Sequence, residues 1–257
     1  MLDPVFPDFS LKGRRALVTG ASRGIGEALA IGLARFGADV AICGRDFRRL
    51  LPCREGIETA GQKAVPFQLD VREIQAIKPA FEVAVKKLGG LDILINNAGV
   101  EDVRPSADVS EALWDKIVDT NLKGAFFAAQ AAAAEMGQQG GAIINLGSLT
   151  SGVGVPTATP YGASKSGLLG MTRALAAEWA PASIRVNAIG PGYFRTELTE
   201  AFYQDQAWSD AMLQKIPAGR FGSLDDLIGA TVFLSSDAAR YVTGQMLYID
   251  GGYMASI

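Results

Sequence analysis

The stretch Thr19 to Gly26, TGASRGIG, is the strongest constraint on what this chain can fold into. Before it runs Arg15 to Val18, whose apolar Ala16-Leu17-Val18 is short enough for a buried strand. After it, Ile25, Leu29, Leu33 and Phe36 recur at helical spacing and form one apolar stripe. Gly37 stands where such a helix would be capped. A glycine-rich turn therefore joins a strand to the start of a helix. Glycines there permit positive φ and let a ligand come close to the backbone. The free N–H groups and the dipole at the helix start attract an anion such as a phosphate.

The same residues fit a second pattern. Gly20-Ala21-Ser22-Arg23-Gly24 is also G-x-S-x-G, the nucleophile elbow of α/β hydrolases, which lies between strand and helix as well. That chemistry needs a histidine to take the serine proton. The chain has no histidine, so the hydrolase reading lacks its general base.

The rest of the 257-residue sequence alternates short apolar runs with longer helical patterns. Strands are expected at Asp39–Cys43, Ala64–Leu69, Leu91–Ile95, Ala142–Leu146, Ile184–Ile189 and Met246–Ile249. Helices are expected at Phe47–Ala60, delayed or kinked by Pro52, and at Glu73–Leu88, which holds Pro79. One long helix is expected over Glu111–Met136. Another over Tyr161–Trp179 would place Leu168, Met171, Leu175 and Trp179 on one side. This alternation predicts an α/β fold, a doubly wound parallel sheet of about seven strands with helices on both faces, in one domain spanning residues 1–257. Ligands bind such sheets at the carboxyl ends of the strands, where Gly20, Arg45, Asp70, Asn97, Ser148 and Pro191 fall. The least regular stretch, Gly192 to Phe221, carries Tyr193, Phe194, Phe202, Tyr203 and Trp208. It is expected to be a substrate lid, or a small helical pair packed on the surface that could serve as one.

Composition removes several function classes. Hydrophobic residues make up 49%, enough for a large core. Net charge is −3 and no basic cluster stands out, so neither nucleic acid nor an anionic membrane is an expected partner. Two cysteines, Cys43 and Cys53, make no disulfide scaffold, and without histidine no zinc site is expected. The N-terminus, MLDPVFPDFSLKG, has acids and prolines where a signal peptide needs a basic and an apolar region. A soluble cytoplasmic protein acting on a small molecule is the expectation.

An acid at the end of the second strand would bind the ribose 2′-hydroxyl of NAD, and an arginine there would suit the 2′-phosphate of NADP. Asp46 lies about 20 residues past Gly26, which at first suggests NAD, but Gly44 and Arg45 come first. With Arg23 in the glycine loop, Arg45 makes a plausible phosphate clamp, and a solvated charge at a helix start is the alternative for it. Tyr161 and Lys165, four apart on an expected helix, share a face. A nearby ammonium favours phenolate, and such a pair could exchange a proton with a substrate oxygen while the cofactor handles hydride. Ser148 could hydrogen-bond the same oxygen.

Together these residues resemble the short-chain dehydrogenase/reductase family. The likeness runs from Phe9 to Tyr253, with TGASRGIG at 19–26, Asp70, NNAG at 96–99, Asn121, Ser148, YGASK at 161–165, PG at 191–192 with Thr196, and DGG at 250–252. The resemblance implies a Rossmann fold and roles for individual residues. Tyr161 would be the general acid/base, and Lys165 would lower its pKa and bind the nicotinamide ribose. Ser148 would hold the reacting oxygen, and Asn121 would fix a water in a proton relay. Gly20, Ser22, Arg23, Gly24, Ile25 and Gly26 would cradle the cofactor. Asp70 and Val71 would meet the adenine, Asn97, Ala98 and Gly99 the adenosine side, and Phe194 and Thr196 the nicotinamide end. Family members with arginines placed like Arg23 and Arg45 usually prefer NADP(H), and most are cytoplasmic homotetramers.

Within the family, GPGYFRTELTEAF at 190–202, PAGRFG at 217–222 and LIGATVFLSS at 227–236 resemble gluconate 5-dehydrogenases and related sugar-acid reductases. Those enzymes tend to have paired arginines soon after NNAG. Here Glu101 and Asp102 stand there, with Arg104 beyond. Carboxylates beside a substrate carboxylate repel it, which leaves a neutral polyol, sugar or ketone, or a 3-oxoacyl substrate, as the alternative. A regulator that binds NADP(H) without catalysis is the alternative of another class, set against the filled roles of Asn121, Ser148, Tyr161 and Lys165.

Overall fold

The computed structural model describes residues 8–195 and 200–257. Its centre is a seven-stranded sheet in the order β3-β2-β1-β4-β5-β6-β7, every neighbouring pair parallel. The strands are β1 (Arg15–Thr19), β2 (Asp39–Gly44), β3 (Ala64–Gln68), β4 (Ile93–Asn96), β5 (Gly141–Leu146), β6 (Ile184–Pro191) and β7 (Met246–Ile249). The expected doubly wound α/β sheet is present, with strand boundaries shifted by no more than two residues.

Both faces of the sheet are dry, which explains why its strands read as continuous apolar runs. On one face, Val18, Ile42, Ile95 and Ile144 pack under helices α1 (Gly24–Arg35), α2 (Leu51–Thr59) and α9 (Asp225–Ser235). On the other, Leu17, Ala41, Leu94 and Ile143 pack under α3 (Ile74–Leu88), α5 (Gly124–Met136) and α6 (Thr159–Trp179). Pro52 sits in the first turn of α2 after a short 3₁₀ turn, so it delays the helix, while Pro79 is carried inside α3. Cys43 and Cys53 lie buried on opposite faces, and burial pushes both thiols up to about 12. Of the expected α1 stripe, Leu29 and Leu33 are buried and Ile25 packs against the core. Phe36 is 45% exposed, because α1 ends there and the chain turns at Gly37, with φ +103°, toward β2.

The expected long helix over Glu111–Met136 is two helices. α4 (Glu111–Val118) and α5 are joined by one turn of π-helix, Asp119–Lys123. Thr120 donates its hydroxyl to the Lys116 carbonyl at 2.7 Å within this widened turn. Such insertions leave no hydrophobic signature and often mark functional positions. Asn121 occupies this one.

Gly192–Phe221 holds α7 (Glu200–Tyr203) and α8 (Gln206–Leu213). Its described aromatic side chains pack on one another. Tyr203 meets Trp208 and Phe221 edge-on at 5.4 and 4.7 Å, and Tyr193 meets Trp208 at 5.7 Å. Thr196 and the Phe202 side chain lie outside the described residues. Among the described residues, no helix is long and apolar enough to cross a membrane and no three metal-ligating side chains cluster.

The strand order reverses between β1 and β4, and the turns leaving these strands meet. Asn97 donates its side-chain amide to the carbonyls of Thr19 and Gly20, both at 3.0 Å. Thr19 Oγ1 accepts from the backbone N–H groups of Asn97 and Ala98 at 3.1 Å. A Cβ on Gly20, which has φ +66°, would lie 2.7 Å from Ala98 Cα, and one on Gly26 would overlap the Asn97 amide and the Gly20 carbonyl. Gly26→Ala is therefore an overpacking change into backbone. It should cost about 1–3 kcal/mol, read as a lowered urea midpoint without a changed slope.

Candidate active site

At the carboxyl edge of the sheet lies a cleft of about 460 Å³. The expected residues of the glycine loop line it, from Gly20 through Ser22, Arg23, Gly24 and Ile25 to Gly26. So do Arg45, Asp70, Val71, Asn97, Ala98, Gly99, Ser148, Tyr161, Lys165 and Phe194. Asn121 stands behind the wall, 1% exposed, while its neighbour Thr120 reaches the cleft.

At one end the loop after β1 opens α1. Arg23 is its N-cap in extended backbone and makes no side-chain cap bond, so that side chain takes none of the N–H groups of the first turn. Arg23 and Arg45 both face the cleft from exposed positions. Asp46 does not line the cleft; its carboxylate accepts from the Arg48 backbone N–H at 2.9 Å. Asp70 is paired with Arg72, whose guanidinium donates to it at 2.6 Å and holds its carboxyl below the usual range. Arg72 lines the cleft and was not singled out by sequence, since its only signal is a position two residues past a strand-end acid.

At the other end α6 presents Tyr161 and Lys165 side by side, with Lys165 Nζ 5.5 Å from the tyrosine ring centre. Lys165 is buried and donates Nζ–H to the Leu146 carbonyl at 2.5 Å. Burial pulls its ammonium down to about 8, and the Glu101 carboxylate opposes that. Tyr161 goes the other way from the sequence expectation. Burial raises its hydroxyl above the ordinary tyrosine range, Glu101 adds to the rise, and a hydrogen bond with Ser148 opposes it. The expected depression by Lys165 does not govern the tyrosine here, because desolvation outweighs it and an anion sits nearby.

Ser148 follows β5 and is fixed by its own turn. Its Oγ accepts from the Thr150 N–H at 3.2 Å, and its N–H donates to Ser151 Oγ at 3.3 Å. Ser151 in turn donates to the Lys165 carbonyl at 2.9 Å, tying the turn to α6. Asn121 has a bracing position. Its Oδ1 accepts from the Val100 N–H at 2.8 Å, and its amide donates to the Val100 carbonyl at 2.9 Å and to Ser164 Oγ at 3.1 Å. It thus holds the strand that leaves β4 against α6.

A glycine turn at the strand switch and a Ser–Tyr–Lys set facing the same cleft form a combination that can be matched against known proteins. The family model described as enoyl-(acyl carrier protein) reductase matches residues 20–254. The chain belongs to the short-chain dehydrogenase/reductase family. That membership makes it an oxidoreductase. It is 42% identical to gluconate 5-dehydrogenase of Gluconobacter oxydans (strain 621H), over 98% of this chain and 99% of that protein. It is 37% identical to 5-keto-D-gluconate 5-reductase of Escherichia coli (strain K12), over 97% and 98%. Among solved structures, it is similar to a gluconate 5-dehydrogenase from Burkholderia cenocepacia J2315 in complex with NADP and tartrate. That likeness has a TM-score of 0.94 at 39% identity, over 97% of this chain and 98% of the other.

The wall residues Val103, Val155, Thr157, Tyr193, Tyr203 and Trp208 complete the cleft. They come from three loops, and nothing in their spacing announces a common destination. Asn121→Ala would leave the half-buried Val100 N–H and carbonyl without their partner. It should cost about 1–3 kcal/mol and speed amide exchange at Val100 to Val103, measured by mass spectrometry.

Proposed function

We propose that this chain is an NADP(H)-dependent oxidoreductase that interconverts a hydroxyl and a carbonyl group on a sugar acid or related polyol, as one domain with Asn121, Ser148, Tyr161 and Lys165 as its working residues. The observation that carries this is the meeting of Ser148, Tyr161 and Lys165 with the glycine loop in one cleft. The cleft fits the cofactor. Gly20 and Gly26 let the glycine loop pack directly on Ala98 and Asn97, which keeps its backbone at the cleft wall, and Arg23 and Arg45 supply guanidinium groups for a 2′-phosphate. Asp70 and Val71 would flank the adenine, Asn97 to Gly99 the adenosine side, and Phe194 with Thr196 the nicotinamide. When bound, NADPH supplies hydride to the carbonyl carbon.

The protein residues handle the oxygen. Ser148 donates a hydrogen bond to it and fixes its direction. Tyr161, kept as phenol by burial, passes its proton to that oxygen as negative charge develops there. Lys165 keeps a positive charge beside the site below about pH 8, which favours the tyrosinate left behind. Asn121 is a positioning residue through Val100 and Ser164, and it would also fix the relay water that the family resemblance assigns to it.

The segment 192–221 belongs to the same proposal as a lid. Tyr203 and Trp208, at α7 and α8, already form one wall of the cleft. Assembly as a homotetramer in the cytoplasm is proposed with it, supported by the family resemblance and the exposed Trp114 ring on α4; light scattering reads the assembly.

Three outcomes are expected. In fluorescence titrations NADPH binds more tightly than NADH, and Arg45→Asp inverts or erases that order; equal affinities in the wild type would refute the clamp. Tyr161→Phe keeps cofactor affinity and lowers turnover by about 10²-fold or more, followed at the reduced-nicotinamide absorbance. Amide exchange across α8 slows when NADPH and a substrate are both present, and unchanged exchange would speak against a lid.

A further inference from the structure

Glu101 and Asp102 are chain neighbours with different surroundings. Asp102 accepts from the Arg104 guanidinium at 3.1 Å at the surface, and neither residue lines the cleft. Glu101 does line it, half-buried, and its charge acts on Lys165, Tyr161 and Tyr193. Its backbone approach is fixed, because Val100 is held on both its N–H and its carbonyl by Asn121.

The rings of Tyr193, Tyr203 and Trp208 also line the cleft. Tyr203 Oη is buried and has no hydrogen-bond partner among the described residues. Arg23, Arg45 and Arg72 line the cleft from the loops after β1, β2 and β3. Apart from these, Lys165 is the only cationic side chain among the described lining residues, and it already donates to Leu146.

We propose that the substrate end of the cleft selects an uncharged polyol or polyhydroxy ketone, with Glu101 accepting its hydroxyl groups and repelling a substrate carboxylate. The inference rests on the oxidoreductase reading above and narrows its substrate class. A carboxylate offers lone pairs to several hydroxyl donors and none of its own protons, so it suits a polyol and disfavours another anion. The ring surfaces of Tyr193, Tyr203 and Trp208 cover the C–H side of such a ligand.

The test uses the full chain as wild type, Glu101→Gln and Glu101→Asp. NADPH titration comes first; failure to bind NADPH would refute the oxidoreductase reading before any substrate is added. With NADPH bound, kcat/KM is compared for 5-ketogluconate and for sorbose, a neutral ketose of the same length. Tartrate and erythritol serve as non-reacting probes by calorimetry in the presence of NADP. The wild type should favour sorbose and bind erythritol over tartrate. Glu101→Gln should raise the acid-to-neutral ratio tenfold or more and admit tartrate, while Glu101→Asp keeps the wild-type order. A wild type that prefers the acid, a ratio unchanged in Glu101→Gln, or equal tartrate binding by both proteins would overturn the inference. Where neither ketone is turned over, the erythritol and tartrate affinities decide it alone.

Discussion

The contact between the Asn97 side chain and the glycine turn holds the carboxyl edge of the sheet together. Two strands that are neighbours in space but 77 residues apart in sequence end there. The last carbonyls on the β1 side, those of Thr19 and Gly20, would otherwise lack partners. Asn97 caps both, and Thr19 returns the favour by accepting the N–H groups of Asn97 and Ala98. The pairing works only at short range, which is why positions 20 and 26 have no room for a side chain. One polar contact thus sets the shape of the glycine loop, the start of α1 and the direction of the chain toward Val100. Asn121 then fixes that chain against α6, so the cofactor end and the tyrosine end share one rigid path.

Charge at the tyrosine end follows from burial more than from pairing. Lys165 and Glu101 have opposite charge, yet burial moves each toward its neutral form, and each partly restores the other. Tyr161 lies beside Lys165 and receives the Glu101 anion's influence as well as the desolvation. Reading the helix face alone gives the neighbour and its sign, but not the dielectric around it. That is why Y-x-x-x-K predicted a lowered tyrosine and the structure gives a raised one.

The sheet was legible because strands buried on both faces are apolar throughout, as Leu17 and Val18 show by entering opposite cores. The proposed site residues Ser148, Tyr161 and Lys165 were legible because the first follows a strand end and the other two sit one turn apart on a helix. What was hidden has local geometry without a local pattern. The π turn at Asp119–Lys123 adds one residue just before the alanine-rich α5, where no apolar stripe exists to show the change of phase. Arg72 entered the site by folding back on Asp70, a contact across two residues that any surface turn could make. Tyr193, Tyr203 and Trp208 looked exposed from the sequence, whereas in the fold they pack on one another and on Phe221. The separate fates of Glu101 and Asp102 depend on backbone direction alone, and Asn121, twenty residues later, sets it.

These features also bear on the direction in which the site works. A tyrosine whose hydroxyl lies above its ordinary range is a phenol at neutral pH, so a proton is ready when a carbonyl oxygen gains charge. The reverse reaction starts from the same phenol and must first remove that proton, against both burial and the Glu101 charge. Lys165 helps only while it remains an ammonium, and it loses that charge above about pH 8. The pH range that ionises the tyrosine is therefore the range that removes its nearest cation. With the groups arranged in this way, carbonyl reduction uses the protonation states that the fold already holds at neutral pH, and alcohol oxidation must work against them.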